Sequence, residues 1–203
     1  MIKGMINTGI FLFVVAAISG VLLAFTQNLT APIIKENEII AENNAQKEVL
    51  PSDSFSSNIK GEVNGKTIYY RVGFDKDGKV TGAVFKVSPR GFGGLINTMV
   101  GINAEGKIIN YKILSLSETP GLGSKLTSEK FTNNMKALLT SDSPDVFKVK
   151  KDGGNVDAVT AATISSRAFC NGMNEALEYY RNLKENILAT KYSVLSQNEG
   201  VTK

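Results

Sequence analysis

The chain has 203 residues, 42% of them hydrophobic, with a formal net charge of +4, one cysteine, no histidine and no tryptophan. Without histidine, a Ser/His/Asp triad, a histidine-ligated metal and a histidine general base are excluded within the chain. One cysteine excludes an internal disulfide and a four-cysteine iron–sulfur site, and the scattered lysines form no dense basic run of the kind that binds nucleic acid. Any redox chemistry here needs a borrowed cofactor.

No charged side chain lies between Lys3 and Lys35, and the apolar core of that stretch runs from Met5 to Phe25. At about 1.5 Å per residue it spans roughly 30 Å, the thickness of a bilayer hydrocarbon core. A cleaved signal peptide is the rival reading. It is disfavoured because the apolar run is longer than an h-region of about 7–15 residues and no clean A-x-A site follows. The N-terminal amine and Lys3 precede the span, whereas Lys35 is accompanied by Glu36 and Glu38. The positive-inside rule then predicts a single-pass protein of the cell (inner) membrane, N-terminus in the cytoplasm and the remaining domain extracytoplasmic. The lone Cys170 suits an oxidising compartment, since it has no partner within the chain to mispair with.

Thr30-Ala31-Pro32 reads as a helix start, opening a helical stalk that Pro51 and a serine-rich stretch end, with a solvated connector as its expected role. Two similar units follow. TIYYRVGF, DKDGK and VTGAVFKV form one; NTMVGI, NAEGK and IINYKILSL form the other, each reading as a β-hairpin. Asp75, Asp77 and Gly78 are explained by turn chemistry, because the spaced ligands of a calcium loop are missing. Phe131, Met135, Leu138 and Leu139 share one face of a predicted helix over 128–139; VFKV reads as a short strand and KDGGN as a turn. A long helix is predicted from near Thr163, with Phe169, Met173, Ala176, Tyr180, Leu183 and Ile187 as its core stripe. The tail after Lys191 is polar. The fold class is α+β: antiparallel hairpins packed with helices. The expected parts are a transmembrane anchor over 1–30, a juxtamembrane helix and linker over 31–55, a domain over 56–190 and a tail over 191–203.

Two segments have the composition of a site. VDAVTAATISSRAF places Thr160, Thr163, Ser165 and Ser166 among small alanines just before the long helix. Helix N-termini carry unpaired N–H groups and a partial positive charge, which suits phosphate, and Arg167 one turn in offers a full charge. The same hydroxyls are equally good N-caps, and on the residues alone both readings stand. SETPGLGSK is a bend with close backbone access at Gly121 and Gly123, ended by Glu118 and Lys125; on its own residues a plain loop between strand and helix accounts for it. The PRGFGG stretch matches neither a dinucleotide fingerprint nor a P-loop.

The D-x-x-T-A-A-T run at 157–163 resembles the D-x-x-[ST]-G-A-T motif to which flavin transferases attach FMN. With the N-terminal membrane helix, Gly91-Phe92-Gly93-Gly94 and Glu118 through Gly123 in the same order, the chain resembles the G subunit of Rnf-type electron transport complexes over essentially its whole length. It is also similar to the related C subunit of sodium-pumping quinone reductases, from which its compact length separates it. The resemblance implies an FMN-binding domain outside the cytoplasm, with FMN joined by a phosphoester to Thr163 and Asp157 in the sequence the transferase recognises. It implies an electron-transfer role in a ferredoxin:NAD oxidoreductase complex coupled to sodium or proton translocation. The partners it implies are the complex's other membrane and peripheral subunits, carrying flavin and iron–sulfur centres, the flavin transferase during maturation, and the lipid bilayer.

The expected cofactor contacts are Glu118, Thr119, Gly121, Leu122, Gly123 and Lys125 from the bend, with Thr160, Ala161, Ala162, Ile164 and Ser165 around the acceptor. Lys125 or peptide N–H groups are expected beside the flavin N1/C2=O edge. Ala161 stands where the motif has glycine, a tolerable change unless that backbone needs positive φ. No metal site and no acid–base catalytic residue is expected. The rival class is a membrane-tethered binding or scaffold protein without flavin, in which the hydroxyls are only a helix cap; a flavin carrier for another extracytoplasmic reductase is the third reading.

Overall fold

The computed structural model of the chain describes residues 2–191; the expected polar tail lies outside them from residue 192 on. One continuous helix, α1 (Ile2–Val49), runs through the apolar stretch and the expected stalk. The separate helix start at Thr30–Pro32 is not formed. The Thr30 hydroxyl donates back to the Thr26 carbonyl (2.9 Å) rather than capping forward, and Pro32 sits inside α1, where it removes one backbone donor.

The chain divides into two compact units, residues 1–41 and 42–203. In the first, none of the most apolar window of α1 is buried, and Phe11, Phe13 and Leu23 are well exposed. A helix of this length and composition leaves a lipid-sized apolar surface that water disfavours.

In the second unit the strands are β1 (Ser54–Phe55), β2 (Ile59–Val63), β3 (Lys66–Phe74), β4 (Val80–Val87), β5 (Ile96–Asn103) and β6 (Ile108–Leu116). Within the described residues they form one six-stranded antiparallel sheet, with β3, β4, β5 and β6 side by side and β1 and β2 pairing with opposite ends of β3. Both hairpins read from the sequence are present as β3–β4 and β5–β6. The β2–β3 hairpin is additional to them. Its two-residue Asn64-Gly65 turn has φ of 52° and 73°, the left-handed pair that a tight hairpin uses.

Both faces of the sheet are covered, so β4 and β5 are buried on alternate sides. The inner face carries Phe85, Val87, Val100 and Ile102 beneath α3 (Thr163–Ala189). The six residues of the expected α3 stripe are all buried there. Helix α2 (Glu129–Asp142) adds Phe131, Met135 and Leu139, and Phe169 meets Phe131 and Tyr111 edge-on with ring centroids 5.4 and 5.0 Å away. On the outer face, the last turns of α1 bury Ala45, Val49 and Leu50 against Val84 and Met99. The end of the stalk is thus core, not a solvated connector. VFKV forms no strand; Val149 makes a single bridge to Val156, because Lys150–Asp152 turns away in a 3-10 turn.

Candidate functional site

Helix α3 begins at Thr163 without a side-chain cap. Of the four hydroxyls available for that task, Ser166 is fully buried and faces backwards. It accepts a hydrogen bond from Val159 N–H (2.9 Å) and donates one to Ala162 O (3.0 Å), tying down the turn before the helix. Thr160 is exposed, and Ser165 is buried with its hydroxyl close to Gly123 of the bend. The first intrahelical bond runs from Ser166 N–H to Ala162 O, so the amides of Thr163, Ile164 and Ser165 have no acceptor within the helix. The capping alternative left open by the sequence is therefore not the one adopted. The half-buried Thr163 hydroxyl sits on an open, positively polarised helix end.

Three chain stretches meet here and enclose a cleft of about 360 Å³. The segment 161–165 gives Ala161, Ala162, Thr163, Ile164 and Ser165; the bend gives Glu118, Thr119, Leu122 and Gly123; a tight turn closed by Gly91 N–H to Gly94 O (2.8 Å) gives Phe92. Phe92, Leu122 and Ile164 are exposed apolar side chains around this opening, although Phe92 is not among the expected contacts. The signal for it is an aromatic residue held between glycines.

Glycine makes the convergence possible. A Cβ on Gly123 would fall 2.4 Å from Glu118 Oε2 and 2.8 Å from Ser165 Oγ, and one on Gly91 would fall 2.0 Å from Glu118 Oε1. The two glycine-bearing loops thus pack on the Glu118 carboxyl, and the bend packs on the start of α3. Glu118 Oε2 accepts from Gly93 N–H at 3.3 Å, while Oε1 is buried with no hydrogen-bond partner.

The remaining expected contacts lie elsewhere. Lys125 and Thr160 line a neighbouring cavity of about 230 Å³, together with Asp157 and Lys130. Asp157 is exposed and paired with Lys150 at 2.8 Å. Gly121 is exposed, with φ 77°, and is not part of the cleft lining. Arg167 does not add its charge to the helix end. Its guanidinium grips Asp152 with two bonds (2.6 and 2.7 Å), which holds the Asp152 carboxyl below the usual carboxylate range. Among the described residues no group of three or more His, Cys, Asp or Glu side chains is placed to hold a metal.

Residues 91–178 match the family model described as FMN-binding domain, and residues 1–49 match that of the RnfG N-terminal region. The G subunit of the proton-translocating ferredoxin:NAD(+) oxidoreductase complex of Clostridium ljungdahlii is 33% identical over 161 residues, covering 79% of this chain and 83% of that protein. The chain belongs to the family of G subunits of ion-translocating oxidoreductase complexes. The G subunit of the ion-translocating oxidoreductase complex of Shewanella piezotolerans is 30% identical over 211 residues, 97% of this chain and 99% of its own. Its counterpart in the Na(+)-translocating ferredoxin:NAD(+) oxidoreductase complex of Acetobacterium woodii is 30% identical over 203 residues, 90% and 95% of the two chains. In this member of the family, every residue lining the Thr163 cleft falls inside the FMN-binding segment 91–178.

Proposed function

We propose that this chain is the electron-relay subunit of a membrane-bound, ion-translocating ferredoxin:NAD oxidoreductase complex, carrying FMN through a phosphoester on Thr163. The observation that carries the reading is the uncapped start of α3, with Thr163 as its first residue inside a cleft of ligand size. The residues present fit the group. Three free amides and the positive helix end suit an esterified phosphate that keeps a negative charge, and the apolar Phe92, Leu122 and Ile164 suit a flat ring.

When bound, the isoalloxazine ring supplies reversible uptake and release of electrons. The chain's own residues attach and orient it. In attachment the Thr163 hydroxyl oxygen would bond the flavin phosphorus and lose its proton as the phosphoanhydride bond of the transferase's activated flavin donor breaks and its other half leaves. The amides of residues 163–165 would hold the phosphate oxygens, and buried Ser166 keeps the preceding turn in place. Covalent attachment prevents loss of the cofactor from a domain outside the cytoplasm. The exposed Asp157, paired with Lys150 and away from the cleft, lies within reach of the transferase. The apolar stretch of α1 anchors the chain, with Lys3 and the N-terminus on the cytoplasmic side. The names of two relatives specify a proton and a sodium ion respectively, so membership in the family leaves the coupling ion open.

The test is a denaturing gel of the purified chain made in a host that contains the transferase. A band fluorescent under ultraviolet light is expected, and Thr163→Ala is expected to remove it. A dark parent band would overturn the assignment.

A further inference from the structure

Among the residues lining the Thr163 cleft, the one ionisable side chain is Glu118. Lys125 lines the neighbouring cavity, and Arg167 is bound through two of its nitrogens to Asp152. No cation from the described residues lines the cleft. The Glu118 carboxyl is also short of donors, with one long bond to Oε2 and a buried, unpartnered Oε1. Its position is fixed by shape, since the backbones of Gly91 and Gly123 approach the two oxygens too closely to admit a Cβ. A carboxylate fixed in place by two backbones, with no cation lining its cleft, acts on a neighbouring group uncompensated. The start of α3 carries only about half a positive charge, which does not cancel the full charge of the carboxylate.

Two-electron reduction of FMN with uptake of one proton adds one negative charge to the ring, with the electrons supplied by a reduced centre of the partner subunits. A fixed anion beside the ring disfavours that product, whereas a lysine would favour it. We infer that Glu118 is the potential-setting residue of this site, a wedged carboxylate that lowers the midpoint potential of the bound flavin. This rests on the reading that FMN occupies the Thr163 cleft. It reverses the sign expected from the sequence, where Lys125 is the charge placed beside the ring.

Potentiometric titration of the full-length, flavin-loaded chain, followed by flavin absorbance, tests this. Glu118→Gln keeps the shape and removes the charge. Its midpoint potential is expected to rise, giving about a tenfold higher reduced-to-oxidised ratio at a fixed ambient potential, equivalent to about 30 mV for a two-electron couple. Lys125→Gln is expected to leave the potential unchanged, and Glu118→Asp to keep it low. An unmoved or lower potential in Glu118→Gln overturns the inference, as does an equal rise in Glu118→Asp. Loss of the fluorescent band in Glu118→Gln also overturns it and assigns the residue to attachment. A dark parent band sinks the FMN reading itself, whereas a fluorescent parent with an unmoved Glu118→Gln potential sinks this inference alone.

Discussion

Ala161 holds a left-handed backbone, φ 62°, two residues before Thr163. A Cβ in that region costs roughly 1–2 kcal/mol, and glycine avoids it at an entropic cost of about 0.4–1 kcal/mol. Ala161→Gly is therefore expected to stabilise the domain by up to about 1 kcal/mol, a rise in Tm of roughly 2–4 °C by circular dichroism. A fall in Tm would show that the methyl group contributes packing there. The sequence identified the position as sensitive, because the related motif has glycine, but the sign of φ was visible only in the folded chain. The same limit applied to Arg167. Its spacing placed it one turn into α3, and nothing local revealed that Asp152, fifteen residues away, would take its charge. A folded-state carboxyl lowered by a cation adds stability above the unfolded pKa and loses it as the pH falls through the folded value. Asp152→Asn is thus expected to be less stable than the parent at pH 7, with the gap closing as the pH falls from about 4. Added salt should narrow it too, because both side chains are partly exposed. A gap that persists at pH 2 would mean that Asp152 acts through something other than its charge.

At the level of elements, periodicity identified what was long and one-sided. The β3–β4 and β5–β6 hairpins and helices α2 and α3 follow from alternation and three- or four-residue spacing. The short strands did not. β1 has two residues and β2 five, and both are placed by pairing with β3 rather than by their own pattern. The end of α1 departs from expectation for a related reason. Arg71 on β3 donates to Asn43 and Gln46 (2.9 and 2.7 Å), so polar residues of the supposed stalk are committed to the sheet. A side-chain hydrogen bond joins α3 to the second hairpin. The buried Tyr180 hydroxyl donates to Ala104 O at 2.8 Å, in the β5–β6 turn. Tyr180→Phe keeps the ring and leaves that carbonyl without its donor. A loss of about 1 kcal/mol is expected in chemical denaturation, with an unchanged m-value. An unchanged midpoint would mean that water satisfies the carbonyl.

Across the whole molecule, the cleft is made from stretches near residues 92, 120 and 163, each of which has a plain structural reading by itself. Their order in the chain was legible, but their convergence was not, because it depends on glycine backbones packing on one carboxyl and on the bend packing against α3. That helix carries the site at its first residue and the core stripe along its length, so opening of the core and loss of the site should be one event. Cys170 lies on the buried face of α3. Burial pushes its thiol up to about 12, which leaves little of the reactive thiolate at pH 8 in the folded chain. A thiol reagent is therefore expected to label the native protein only through opening, at a rate that rises with denaturant alongside the loss of helical signal. Under those conditions Tyr180→Phe should raise the labelling rate about fivefold, matching its stability loss of about 1 kcal/mol. If labelling instead proceeds with the helical signal intact and is insensitive to Tyr180→Phe, α3 opens locally, and the Thr163 cleft is then held by a less stable part of the domain than the sheet beneath it.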